Sequence, residues 1–245
     1  MKTVAALIFE GMAPLDLFGP IQVFNVACTP REDDPTKPDT SKPLYKVVTV
    51  GKKRGPVPTG ANGAGPVVVA EHGINDDFDF DILLVPGGSG TRALVADPAF
   101  IESLSAACEK ADVVASVCTG AALLAKTNIL NGKTATSNKA AWNWVLTQGE
   151  NVAWDATPRW VDLVDKNTGK GIITSAGVSA GHRHDPRLGG QPGRRAGGRE
   201  RRRVHRAPPR QEPRQRHIRL SGRRLTGPSP NPEFGKVWIT KGPRC

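Results

Sequence analysis

The chain has 245 residues, 38% of them hydrophobic, and a formal charge of +11. That is enough apolar chain for one or two domains with a substantial core, which excludes a wholly disordered protein. No run of about 18 apolar residues occurs, and the first residues lack the basic region, apolar stretch and small-residue cleavage site of a secretory leader, so a soluble, cytoplasmic protein without membrane association is expected.

In chain order, strands are expected at Thr3–Phe9, Tyr45–Val50, Asp81–Val85, Val113–Val117, Lys133–Ser137, Trp160–Val164 and Gly171–Ser175. Several are unbroken runs of Val, Ile and Leu, the mark of strands buried on both faces of a parallel sheet. Helices are expected between them, at about Leu15–Ala27, Pro98–Lys110, Thr119–Leu130 and Lys139–Gln148. In Pro98–Lys110, Phe100, Ile101, Leu104 and Ala107 fall on one helical face, which then packs on the sheet. Alternating strands and helices predict a three-layer α/β domain. Thr29–Pro43 and Gly51–Pro66, rich in Pro, Gly and polar residues, read as surface loops.

The charge is unevenly placed. Residues 1–180 hold 16 Lys and Arg against 19 Asp and Glu, a net of −3, whereas residues 181–245 hold 18 against 4, a net of +14. The same last quarter carries 16 of the 20 arginines, which marks a boundary at about Gly181 between an α/β domain and an Arg/Pro/Gly-rich tail, irregular or disordered. The basic character that suggests nucleic acid therefore belongs to the tail alone.

Cys28, Cys108, Cys118 and Cys245 show no metal-ligand spacing, and His72 is the only histidine before the boundary, in what reads as a solvated Glu-His-Gly turn. No metal site is expected. Without a leader, the cysteines are expected as free thiols.

The segment Val113-Val-Ala-Ser-Val-Cys-Thr-Gly-Ala-Ala-Leu-Leu124 places Cys118 at a strand-to-helix turn. A sharp turn of this kind lifts the side chain out of the sheet and aims the next backbone N–H, that of Thr119, at an incoming oxyanion. The helix N-terminus is expected to favour the thiolate. Gly120, Ala121 and Ala122 permit the close helix-to-strand approach the turn needs. The bland alternative for any lone thiol is burial in a core, and Cys28 and Cys108, inside helical patterns, are expected to meet it.

Asp81-Ile-Leu-Leu-Val-Pro-Gly-Gly88 is a buried strand ending in Pro-Gly-Gly. Carboxyl ends of parallel strands line the ligand crevice, so Gly87 and Gly88 present backbone N–H groups there, with Gly88 the second oxyanion candidate. Asp16 lies between Leu15 and Leu17, where a carboxyl is costly without a partner or a raised pKa. Its alternative is a simple helix cap, and Glu10, on a surface turn, is the competing acid.

Leu15-Asp16-Leu17-Phe18-Gly19-Pro20, Pro86-Gly87-Gly88, Ser116-Val117-Cys118-Thr119-Gly120, Ala135-Thr136-Ser137-Asn138-Lys139 and Ser175-Ala176-Gly177-Val178-Ser179-Ala180-Gly181 together resemble the ThiJ/PfpI superfamily, related to class I glutamine amidotransferases, and within it the isonitrile hydratase-like branch. The resemblance covers nearly all of residues 1–181. It implies a flavodoxin-like sheet, Cys118 as nucleophile, Asp16 as the acid pointing toward it and Thr119 as its polar neighbour, with Gly87 and Asn138 lining the substrate pocket. The implied activity is hydro-lyase addition of water to an isonitrile, giving an N-substituted formamide, with a small-molecule substrate, no metal or organic cofactor, and a homodimer. A glyoxalase or deglycase-like activity on reactive carbonyls, or a non-catalytic sensor domain of the same fold, are the alternatives. Many peptidase-like and glyoxalase-like members place His directly after the cysteine, whereas Thr119 stands here, which disfavours a Cys–His peptidase.

After Gly181 the resemblance calls for a helix beginning Ile-Asp-Met, but the chain reads His-Arg-His-Asp-Pro-Arg-Leu. One base out of frame, the genetic code permits codons for those residues to be re-read as Ile-Asp-Met-Thr-Leu-Ala-Trp, and arginine codons of the CGN type become codons for Ala, Val, Asp, Glu or Gly. The tail from about His182 is therefore expected to derive from a frameshift, a misannotated splice or a sequencing error, with loss of a helix that covers the sheet. An arginine-rich nucleic-acid arm is disfavoured because no aromatic stacking residue occurs in it before Phe234 and Trp238.

Overall fold

The computed structural model describes residues 1–177, so the expectations for the tail and for Cys245 lie outside the described residues. Seven strands form the main sheet: β1 (Lys2–Leu7), β2 (Tyr45–Gly51), β3 (His72–Gly73), β4 (Ile82–Val85), β5 (Val113–Val117), β6 (Trp160–Asp162) and β7 (Gly171–Ser175). Their order across the sheet is β6-β7-β5-β4-β1-β2-β3. All neighbours run parallel except the β6–β7 edge pair, which is antiparallel. The helices between them are α1 (Pro14–Val26), α2 (Thr91–Leu94), α3 (Pro98–Lys110), α4 (Gly120–Lys126) and α5 (Trp142–Leu146). The fold is the expected flavodoxin-like α/β architecture with a mainly parallel sheet.

Hydrophobic pattern explains the sheet. β4 and β5 are buried at every position, as unbroken apolar runs should be when both faces are covered. Leu7, Ile8, Leu83, Leu84 and Leu124 are fully or almost fully buried, and each such side chain contributes about 1.5–3 kcal/mol. Phe100 and Leu104 of α3 are buried with Ala107, as the helical spacing predicts. Asp97 caps α3 by accepting the Phe100 N–H at 3.1 Å, with Pro98 in the first turn.

Chain order creates the crevice. From β1 the chain moves outward through β2 and β3, then returns to the other side of β1 to form β4 and continues outward to β5. The reversal lies between β1 and β4, and ligands of parallel α/β sheets bind outside the carboxyl ends of strands at such a point. The register Val85 to Ser116 and Ser175 to Val117 brings the ends of β4, β5 and β7 level there.

Several local expectations are corrected. Thr29–Pro43 is not all loop: Cys28–Pro30 and Pro38–Pro43 pair as a small antiparallel ladder, as do Gly55–Pro58 and Val67–Ala70 around the second loop. The strand expected at Lys133–Ser137 shrinks to Thr134–Ala135 and pairs with Ala153–Trp154, apart from the main sheet. α4 stops at Lys126, before Asn128 turns into the left-handed region at φ 63°. α5 starts only at Trp142, because Asn138 Oδ1 accepts the Ala140 and Ala141 N–H groups at 2.8 and 3.2 Å and holds a turn instead. His72 is not a solvated turn residue. It forms β3 and stacks on Phe78 with ring centroids 4.2 Å apart. Cys28 is half-buried and opens a strand after α1, so it is not a core helix residue.

Candidate functional site

Cys118 follows β5 and precedes α4 by one residue. Its φ is 58°, and the other described non-glycine residues with positive φ are both asparagines, which tolerate that region far better. Holding a cysteine there costs on the order of 1–3 kcal/mol, so the surroundings must over-determine it. They do so on three sides. The Cys118 N–H donates to Ser175 O at 3.0 Å, and its carbonyl accepts the Ser137 hydroxyl at 2.7 Å. Gly177, at φ 81°, sits so close that a Cβ added there would lie 2.5 Å from Cys118 Cβ. Gly120 is required on the helix side, since its Cβ would meet Val85 O at 2.2 Å. The close approach expected of Gly120 is thus a steric necessity.

The sulfur is ringed by polar groups. Asn138 donates an Nδ2 hydrogen to Cys118 Sγ at 3.1 Å, and the Oδ1 bonds described above fix which end of the amide faces the sulfur. The Thr119 backbone N–H also bonds the sulfur. Asp16, 1% exposed, comes from the other side: its side chain bonds the thiol, while its Oδ2 accepts the Gly87 N–H at 3.2 Å. Asp16 is therefore not the helix cap. That position is Ala13, and the Asp16 carboxyl turns away from the α1 backbone toward Gly87 and Cys118. Glu10, the competing acid, is exposed, and its part in the site is its backbone oxygen, packed against Gly90.

The second ring of contacts ties the glycine loop to the elbow. Gly88 donates its N–H to Thr119 Oγ1 at 3.0 Å, so in this state the Gly88 donor is engaged by a side chain. Thr91 Oγ1 donates to Gly88 O at 2.7 Å and lies 3.2 Å from Thr119 Oγ1. A Cβ on Gly87 would lie 2.6 Å from Thr119 N and 2.8 Å from Cys118 Cβ, so glycine there lets the two turns meet. Thr91, Ser137 and Gly177 thus belong to the site, and of these only Thr91 lies outside the quoted motifs. The site brings together all five residue positions expected of it beside Cys118: Asp16, Gly87, Gly88, Thr119 and Asn138.

Electrostatics overturn one expectation. The Cys118 thiol is pushed up from 9.0 to about 12, first by burial and then by the Asp16 charge, against the lowering pull of the Thr119 N–H and Asn138. Desolvation outweighs the two hydrogen bonds that favour the thiolate. The resting sulfur is a thiol beside the Asp16 carboxyl, whose charge raises it beyond what burial does. A base adjacent to a protonated nucleophile is the arrangement that permits proton removal at the moment of attack.

A thiol on a strained strand-to-helix turn, at the switch point of a parallel sheet, defines a class of α/β proteins with a cysteine elbow. Residues 2–183 match the DJ-1/PfpI family, and the chain belongs to it. Isonitrile hydratase of Pseudomonas putida is 28% identical over 178 residues, which cover 73% of this chain and 66% of that protein. An uncharacterized protein in the cpoL 5′ region of Streptomyces lividans is 31% identical over 135 residues, 55% of this chain and 86% of that one. The crystal structure of a ThiJ/PfpI family protein from Pseudomonas syringae superimposes with a TM-score of 0.55 at 27% identity, covering 73% of this chain and 63% of that one. The matched part of this chain thus spans just under two thirds of the isonitrile hydratase and of the Pseudomonas syringae protein. No helix among the described residues is long and apolar enough to cross a membrane.

Proposed function

We propose that the protein is a cysteine-dependent hydro-lyase of the isonitrile hydratase type, adding water to R–N≡C to give R–NH–CHO. The observation that carries this reading is the pairing of a protonated, buried Cys118 thiol with the Asp16 carboxyl. An isonitrile carbon must accept a nucleophile and a proton at the same atom, and such a pair supplies both. Identity to the Pseudomonas putida enzyme over most of the domain supports the same choice.

In this mechanism Asp16 takes the thiol proton as Cys118 sulfur bonds to the terminal carbon, and the proton is passed to that carbon, giving the thioimidate R–N=CH–S–Cys. Water then adds to the same carbon, one of its hydrogens going to nitrogen. The C–S bond breaks, the other hydrogen returns to sulfur, and the formamide leaves. The Asn138 Nδ2 and Thr119 N–H groups stabilise sulfur as it gains negative charge. Each bond and proton is accounted for by these residues and water, without a metal or organic cofactor.

The test is formamide production by the full chain from a panel of alkyl and aryl isonitriles, followed by NMR. Turnover that disappears in Cys118→Ser supports the proposal. Equal formamide in wild type and Cys118→Ser, or none from wild type alongside turnover of α-oxoaldehydes, overturns it in favour of the carbonyl chemistry. A wild type inert toward both classes overturns it in favour of a non-catalytic sensor domain.

A further inference from the structure

Two residues that touch the Cys118 site each have a cationic neighbour one position along the chain. Asn138, bonded to the sulfur, is followed by Lys139, and Thr91, bonded to the Gly88 carbonyl, is followed by Arg92. Both cations line one cavity of about 280 Å³, with the indoles of Trp142 and Trp144. Arg92 lies over the Trp144 ring at 4.7 Å, and Lys139 Nζ over the Trp142 ring at 4.8 Å. Trp142 is in turn braced edge-on by Trp154 at 6.2 Å. Lys139 Nζ also bonds Thr136 Oγ1 and, at 3.2 Å, Pro158 O. The flanking side chains hold both cations at defined positions.

Neither charge is taken up by a direct ion pair, although Asp155 acts on Lys139 at longer range. Among the described residues neither Arg92 nor Lys139 forms an ion pair with a carboxylate, whereas Lys42, Lys52, Arg54, Lys110 and Lys170 all do. Two cations stacked on half-buried indoles, without a direct carboxylate contact, present a positive field above a flat apolar wall. A ligand with an anionic end and a flat or apolar body satisfies both features.

We propose that this cavity is the specificity pocket for the Cys118 reaction and that it holds a carboxylate of the substrate. Arg92 and Lys139 bind the anionic end, Trp142 and Trp144 pack against its body, and the reacting carbon is delivered toward Cys118. This rests on the reading of Cys118 as nucleophile, but not on the isonitrile as electrophile.

The experiment uses thiol alkylation, which tests the pocket separately from the hydratase activity. Iodoacetate and iodoacetamide form the same S–C bond with loss of iodide and differ in one charge. Their rates at Cys118 are followed at pH 9 by peptide mapping of the full chain, which separates Cys118 from half-buried Cys28. The ratio of iodoacetate to iodoacetamide rates at Cys118 is expected to exceed the ratio in the unfolded chain, and to fall with added salt as screening sets in. Arg92→Gln and Lys139→Gln should each lower the ratio by about fivefold, the effect of about 1 kcal/mol for one partly exposed charge. Lys166→Gln, in the turn before β7 at the opposite end of the sheet, should leave it unchanged. Circular dichroism establishes that the variants are folded. A folded Arg92→Gln and Lys139→Gln with the wild-type ratio, or a Cys118 that neither reagent reaches, overturns the proposal. Failure of isonitrile turnover with the ratio intact overturns only the hydratase reading.

Discussion

Cys108 and Cys118 are both buried thiols, 4% and 8% exposed, and burial pushes both from 9.0 to about 12. Their surroundings nevertheless differ in kind. Cys108 lies in the last turn and a half of α3, in regular backbone, with a hydrogen bond to the Thr127 side chain and the Glu109 charge acting on it. Cys118 sits at positive φ, with Asp16, Asn138 and the Thr119 N–H converging on its sulfur and two glycines pressed against its β-carbon. The comparison teaches that burial and an elevated pKa do not mark a functional thiol. What sets Cys118 apart is backbone strain sustained by surrounding contacts, together with polar groups that converge on its sulfur.

The largest expected effect breaks this comparison at the sulfur itself. Cys118→Ser should reduce formamide formation by about a thousandfold or more, as loss of a covalent nucleophile does, whereas Cys108→Ala should leave kcat within about twofold and lower stability by roughly 1–2 kcal/mol. Turnover and urea melts on the two variants check this. Asp16→Asn should come next, lowering kcat by about a hundredfold through loss of the proton carrier. Gly120→Ala should then cost about 3 kcal/mol in a denaturant titration, since the added methyl collides with the Val85 carbonyl, a backbone atom that cannot swing aside.

A further effect is one of pH and treats both thiols alike. A thiol raised from 9.0 to about 12 keeps its proton in the folded state over a range where the unfolded chain has lost it. The folded form then binds more protons, so stability is fully present below about pH 9 and falls as pH rises toward 12, by about 1.4 kcal/mol per pH unit for each thiol. In alkaline urea titrations Cys108→Ala should remove one thiol's share of that slope. An unchanged slope would show that Cys108 is not held protonated.

Much of the site was legible because its chemistry is local in sequence. An apolar run, one cysteine and a Thr-Gly step suffice to place Cys118 on an elbow, and Asp16 between two leucines carries its own signal of burial. What could not be read depends on register. The alignment of Val85 with Ser116 decides that Thr91 and Gly88 meet Thr119, and no pattern within Thr91–Leu94 contains that information. The thiol's pKa went the other way from the sequence expectation because desolvation and the Asp16 charge outweigh the Thr119 and Asn138 hydrogen bonds, and the depth of burial is not written in the local pattern. In the fold, β4, β5 and α3 were visible from periodicity, but the Cys28–Pro30 and Gly55–Pro58 ladders were hidden in proline-rich and glycine-rich stretches whose pairing owes little to side-chain pattern.

A second contrast is compositional. The change from a net −3 to a net +14 falls at residue 181, and the family match ends at residue 183. This coincidence supports the proposal that the chain from about His182 is read in a shifted frame. Resequencing the gene tests it: a frame that continues Ile-Asp-Met after Gly181 supports the shift, and confirmation of His182-Arg183-His184 in gene and transcript contradicts it.

The central claim is that Cys118 and Asp16 form one proton-sharing unit. It is tested most directly by the pH dependence of iodoacetamide alkylation at Cys118 in wild type and in Asp16→Asn. The wild-type midpoint should lie far above the ordinary thiol value of about 8.5 and should fall when the Asp16 charge is removed. A wild-type midpoint near 8.5 that Asp16→Asn does not move would contradict the account.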